Sequence, residues 1–144
     1  MNHPHRKIPA GLRRRIREQA RYRCGYCLCS EVLIGMPMEF EHLNPLASGG
    51  RTVEANLWLS CRRCNEFKGT QTKAADPDTS EIVALFNPRE QSWNGHFCWN
   101  EDGTKIIGLT PTGRATVTAL KLNNPMIVVT RRLWVSAGWW PPSD

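Results

Sequence analysis

Two Cys-x-x-Cys units, Cys24-Gly25-Tyr26-Cys27 and Cys61-Arg62-Arg63-Cys64, stand 33 residues apart in a chain of 144 residues. No other feature constrains the fold as strongly. Thiols two residues apart can grip one ion while backbone N–H groups point at the sulfurs, and two such pairs complete a tetrahedral four-thiolate site. Four soft thiolates select zinc over hard cations. A closed site has no open position for substrate, so Cys24, Cys27, Cys61 and Cys64 are expected to hold a structural zinc. It would tie the first helix to the second strand and help a small subdomain fold, and a subdomain of about 60 residues is marginal without a staple. The alternative is four core cysteines. Cys29 and Cys98 are unpaired in this scheme; Cys29 offers a substitute ligand or a plain buried thiol.

No run approaches the ~20 apolar residues that span a bilayer, and the first residues lack the apolar segment of a signal peptide. The expectation is a cytoplasmic protein with no membrane partner, in a compartment where paired Cys-x-x-Cys units read as metal sites rather than disulfides. The net charge is +6, and residues 6–23 alone carry +7, with Glu18 the one acid among them. A basic segment this concentrated favours a polyanionic partner, of which nucleic acid is the commonest; a solvated helix face is the plainer reading.

Along the chain, residues 1–8 read as loosely tied. Leu12, Ile16 and Ala20 make one apolar stripe on a basic helix from Leu12 to Arg23, ending near Cys24-Gly25. Met38–His42 alternates as a strand, with Met38, Phe40 and His42 on one side and Glu39 and Glu41 on the other. Residues 45–55 form a loop turning at Ser48-Gly49-Gly50. Asn56–Ser60 is a second strand, and a helix follows the second cysteine pair. Residues 74–80 read as a linker, and Glu81–Phe86 as a short helix. Beyond lie a hairpin turning at Asn100–Gly103, a helix opened by Thr110-Pro111 and a last helix opened by Asn124-Pro125. Trp134, Trp139 and Trp140 are expected to pack on the core. The domains expected are 1–75, the core with its basic helix and cysteine knuckles, and 76–144, the extension.

Glu41-His42 ends the first strand beside the glycine-rich loop. Histidine suits proton removal from water near neutral pH. Glu41 offers a hard oxygen ligand and Asn65 a neutral one, a reasonable pair for Mg²⁺ or Mn²⁺ with positions open to water and phosphate. Arg62, Arg63 and Lys68 flank this group, and with Arg13, Arg14 and Arg17 they are the expected DNA contacts. Such residues position a duplex without reading its sequence, so double-stranded DNA with little sequence preference is the expected partner.

The series Glu41-His42, Gly49-Gly50, Asn56-Leu57, Cys61-x-x-Cys64-Asn65 and Lys68-Gly69 resembles the HNH endonuclease family, in its zinc-bearing subclass, over about residues 9–69. The family's H, N and second H-or-N fall on His42, Asn56 and Asn65. Glu41 stands where the family usually has aspartate. The stretch from Leu85 to Trp93 resembles the C-terminal extension of small HNH proteins. The resemblance implies an α+β fold: a small ββα-metal core of two antiparallel strands, a long loop and a helix, with the zinc site beside it and a C-terminal hairpin and helices packed on it. It implies His42 as general base and Glu41 and Asn65 as holders of one divalent cation. Asn56 would brace the loop and hold the His42 backbone.

Two functions follow. One is a metal-dependent endonuclease that hydrolyses DNA phosphodiesters, by nicking or by double-strand cleavage. The alternative is a catalytically weak or inactive zinc-stabilised DNA-binding module. One site per chain cuts both strands only as a homodimer or in two visits.

Overall fold

The computed structural model describes residues 8–143; Arg6 and Lys7 of the basic segment, and most of the stretch expected to be loose, lie outside them. Ile8 is described and is buried, so the tie-down of the chain begins before the first helix. The fold is α+β, with helices among three separate antiparallel strand pairs. It divides into two compact units. One runs to Thr72 and takes in Asn87–Glu90; the other comprises Lys73–Phe86 and Gln91 onward.

In the first unit, helix α1 (Ala10–Gln19) lays Ile16 and Ala20 on the core, with Leu12 half-buried at the edge of the stripe. The helix stops earlier than its sequence pattern predicts. Arg21 and Tyr22 take left-handed backbone angles, φ 56° and 59°, and turn the chain toward the first cysteine pair without a glycine. A short helix α2 (Glu31–Ile34) follows, unforeseen in the sequence reading, with Ser30 accepting from the Leu33 N–H and Gly35 left-handed beyond its end.

Strands β1 (Glu39–His42) and β2 (Leu57–Ser60) pair antiparallel, with Glu39 opposite Ser60 and His42 opposite Leu57. Leu57 and Leu59 are fully buried and, with Ile16, Tyr26 and Phe40, form the core of this unit. Helix α3 (Arg62–Lys68) starts inside the second cysteine pair, with the Cys61 sulfur accepting from the Cys64 N–H, and packs beside β1. Arg89 clamps this unit: its Nε donates to the Leu57 carbonyl at 3.0 Å, its Nη2 to Gln19 at 2.9 Å, and its guanidinium lies over Trp58.

The second unit corrects the reading of residues 74–86. There is neither linker nor helix; strands β3 (Lys73–Ala75) and β4 (Ile82–Ala84) pair antiparallel. The buried Asp76 closes the turn by accepting from Asp78 N and Thr79 Oγ1 and from both arms of the Arg114 fork. A short helix α4 (Trp93–His96) leads into the second hairpin, β5 (Phe97–Trp99) and β6 (Ile106–Gly108). Helix α5 (Pro111–Ala119) is capped by Thr110 and packs on both hairpins, and α6 (Pro125–Ser136) is capped by Asn124. Trp93, Trp99, Trp140 and Trp134 form a chain of ring contacts 5.0–5.5 Å apart. Trp139 does not join them; it is exposed, against expectation. Among the described residues no helix is long and apolar enough to cross a membrane.

Candidate active site and metal centre

The four sulfurs of Cys24, Cys27, Cys61 and Cys64 lie within 4.8 Å of one another, and all four residues are buried. Cys27 and Cys61 sulfurs are 3.7 Å apart. A tetrahedron with ~2.3 Å zinc–sulfur bonds has edges of about 3.8 Å, so the cluster has the size of a zinc site. Backbone donors already point at the sulfurs, Tyr26 N at Cys24 and Cys64 N at Cys61, each at 3.4 Å. Burial pushes the Cys24 thiol up. The neighbouring Cys24 group also pushes Cys64 up and draws Cys27 and Cys61 down, Cys61 to about 5. A soft divalent ion fits such a set of four converging sulfurs, because it favours the thiolate at each of them. The four-cysteine cluster is compatible with a structural zinc. Cys29 is a fifth buried thiol, its sulfur 3.3 Å from that of Cys27.

Beside this closed cluster lies an open cleft of about 260 Å³, whose lining includes Glu41, His42, Leu46, Asn65 and Thr70. β1 supplies Glu41 and His42, and α3 supplies Asn65 from the residue after Cys64. The Asn65 amide is oriented: its Nδ2 donates to Glu39 Oε1 at 2.8 Å. His42 Nε2 and Thr52 Oγ1 form a hydrogen bond at 2.9 Å. Thr52 is a loop residue that the sequence reading did not single out, because no motif position marks it.

Asn56 makes three hydrogen bonds across the loop. Its Oδ1 accepts from Asn44 N at 2.7 Å, and its Nδ2 donates to the Asn44 and Arg51 carbonyls at 3.0 and 2.9 Å. The side chain therefore holds the residue two beyond His42, while the His42 backbone is held by strand pairing with Leu57. The glycine pair has a steric reason. Gly49 is left-handed at φ 87°, and a Cβ on Gly50 would overlap the Asn44 carbonyl.

Glu41 departs most from expectation. Its side chain is 3 % exposed rather than open to solvent. Tyr26 donates its hydroxyl to Oε1 at 2.8 Å, and Lys68 Nζ forms an ion pair with the same oxygen at 2.8 Å. Oε2 is buried without a hydrogen-bond partner. Burial pushes the carboxyl up, opposed by the Lys68 ammonium and the Tyr26 hydroxyl.

The expected DNA contacts separate. Lys68 is corrected: it is buried against Glu41 and cannot meet a phosphate on the surface. Arg63 is half-buried with Nη2 3.5 Å from the Cys27 sulfur. Arg17 is half-buried, stacked on Phe40 and 3.5 Å from Glu31. Arg62 is exposed and pairs with Glu66 one turn on. Arg14 is exposed and Arg13 half-exposed on α1. In the other unit, His96 is a packed residue: its Nδ1 bonds Thr110 Oγ1 and its ring meets the Phe86 edge.

Two antiparallel strands joined by a long loop, followed by a helix, with a four-cysteine cluster at the helix start and a His–Asn cleft at the strand end, define a ββα-type metal domain. Residues 24–71, a third of the chain, match the family model for HNH endonucleases. No curated protein and no solved structure matches the chain. An HNH domain points to nuclease or DNA-binding function.

Proposed function

We propose that the chain is a metal-dependent endonuclease that hydrolyses phosphodiester bonds of double-stranded DNA. The observation that carries this reading is the cleft lined together by Glu41, His42 and Asn65. Glu41 and Asn65 would hold one Mg²⁺ or Mn²⁺. The buried, unpartnered Oε2 fits that role, because a carboxylate oxygen out of water and without a donor is costly until a cation meets it. When bound, the cation would supply charge stabilisation for the scissile phosphate and the departing 3′ oxygen.

The protein's own groups do the rest. His42 takes a proton from the attacking water. Thr52 restricts rotation of the His42 ring. Asn56 holds the loop that follows His42 in one conformation. Attack in line leaves 5′-phosphate and 3′-hydroxyl ends. Arg13, Arg14 and Arg62, which keep their charges at or near the surface, contact phosphates without reading bases. Cleavage of both strands takes two chains or two visits.

A second reading has its own observation. The Glu41–Lys68 ion pair already occupies one oxygen of the proposed ligand, and a domain that keeps this pair closed binds DNA without cutting it. Supercoiled plasmid incubated with the zinc-loaded protein and Mg²⁺ or Mn²⁺ separates the two. Nicking that disappears in His42→Ala is the expected result. Metal-independent DNA binding with no nicking in any metal would establish the binding module instead, and nicking unchanged in His42→Ala would remove His42 as the base.

A further inference from the structure

We infer that Tyr26 and Lys68 are positioning residues for the catalytic cation: together they hold one carboxylate oxygen of Glu41 and so reserve the other for the metal. The inference rests on the cation site proposed above.

Both contacts fall on the same atom. The Tyr26 hydroxyl and the Lys68 ammonium each lie 2.8 Å from Glu41 Oε1, while Oε2 has no hydrogen-bond partner. A free glutamate carboxylate turns readily about its last torsion, whose preference is broad and two-fold. Tyr26 holds that oxygen by a directed hydrogen bond and Lys68, whose Nζ makes no hydrogen bond, holds it by charge; arriving from different elements, the two restrict that freedom. Lys68 is the last residue of α3; Tyr26 lies between Cys24 and Cys27 of the first cysteine pair. Tyr26 is fully buried, and its own N–H donates to the Cys24 sulfur. The closed thiol cluster thus sets the place of the Tyr26 hydroxyl, and the hydroxyl sets the Glu41 carboxylate in the wall of the cleft. The two metal sites are mechanically joined through one phenol.

The Glu41 carboxylate meets a hydroxyl and an ammonium through one oxygen and leaves the other without a hydrogen-bond partner, in a residue that lines the cleft. Partners of metal ligands typically alter metal affinity tenfold or more when removed.

The test uses the full, zinc-loaded chain and Mn²⁺ as probe. Free Mn²⁺ is measured by electron paramagnetic resonance during titration, for wild type, Tyr26→Phe, Lys68→Met and Glu41→Gln. Zinc content and thermal melting are recorded for each. The expected result is Mn²⁺ binding weakened roughly tenfold in Tyr26→Phe at unchanged zinc content, and weakened in Lys68→Met. The metal concentration for half-maximal nicking should rise in step, with the rate largely restored at saturating metal, a split that a general loss of fold does not produce. Tyr26→Phe removes one oxygen atom only, so it decides the matter if Lys68→Met does not fold. Binding unchanged in Tyr26→Phe but weakened in Glu41→Gln overturns the positioning role alone. Tighter binding in Lys68→Met makes Lys68 a competitor of the cation and overturns its half. No binding by wild type, or equal binding by Glu41→Gln, overturns the cation site and this inference with it.

Discussion

Replacing Asn56 with alanine removes three hydrogen bonds at once, the 2.7 Å bond from Asn44 N and the bonds to the Asn44 and Arg51 carbonyls at 3.0 and 2.9 Å. A typical intramolecular hydrogen bond is worth about 1 kcal/mol net, and water replaces part of it at a half-exposed site. The expected loss is therefore about 2 kcal/mol, on the order of 5–10 °C in melting temperature. Asn56→Asp should be worse than alanine. It keeps the acceptor for Asn44 N but sets a carboxylate against two carbonyl oxygens. That carboxyl would have its pKa raised in the folded state, so the stability deficit of Asn56→Asp should shrink as the pH falls toward the carboxylate range and grow as it rises. Urea unfolding of the three proteins from pH 4 to 8 reads this directly, and nicking rates read the loop. A melt unchanged in Asn56→Ala, or Asn56→Asp as stable as alanine at pH 8, would refute the brace.

Metal analysis should find one zinc per chain, lost in Cys61→Ser together with a cooperative melt, since binding energy at such a site is folding energy. Retention of both would sink the structural role. The Arg114 fork, with Asp78 N and Thr79, holds the Asp76 carboxyl down to about 2, below its ordinary value of about 3.9. Its contribution should be complete above pH 4 and lost as the pH falls toward 2, so urea midpoints of wild type and Asp76→Asn should converge over that window; a constant gap would contradict it. Gly50→Ala should lower stability and nicking together, because its Cβ overlaps the Asn44 carbonyl, and a variant with wild-type melting would show that the loop yields. Glu41→Asp should lose stability by about 3–5 kcal/mol, because a shorter side chain leaves a buried lysine unpaired, and equal urea midpoints for the two proteins would refute that.

Much of this was written locally in the chain. Paired cysteines show themselves by spacing, and Thr110-Pro111 and Asn124-Pro125 mark helix starts with cap and first-turn residue in place. The His42–Asn65 cleft was legible as a motif. What stayed hidden depends on distant partners. Asp76-Pro77-Asp78-Thr79-Ser80 has the composition of a solvated linker, and only Arg114, 38 residues on, makes its first residue a buried turn staple. The three-residue strands on either side are too short for an alternation to register. Arg21 and Tyr22 reverse the chain in a conformation that their side chains do not advertise. The short helix α2 is a different matter: Ser30 and Gly35 are its cap and stop, and both signals stood in the sequence.

Glu39 and Glu41 show what alternation alone leaves unread. A strand with two acids on one side reads as polar and solvent-facing. Here that side meets α3 instead. Residues two apart on a strand stand about 6.6 Å apart, and residues three apart on a helix return to one face after about 4.5 Å. Asn65 and Lys68, three apart, therefore sit within side-chain reach of Glu39 and Glu41, two apart, and each acid takes one partner from α3 in order along the chain. The outer pair orients an amide, and the inner pair buries a charge. Exposure then follows from the matching of two periods, not from residue type. The same matching explains how a lysine at a helix end, which by itself reads as a phosphate contact, becomes the counter-charge of a carboxylate in the cleft wall. Of the arginines and the lysine expected to contact DNA, those left outside this match and at or near the surface are Arg13, Arg14 and Arg62.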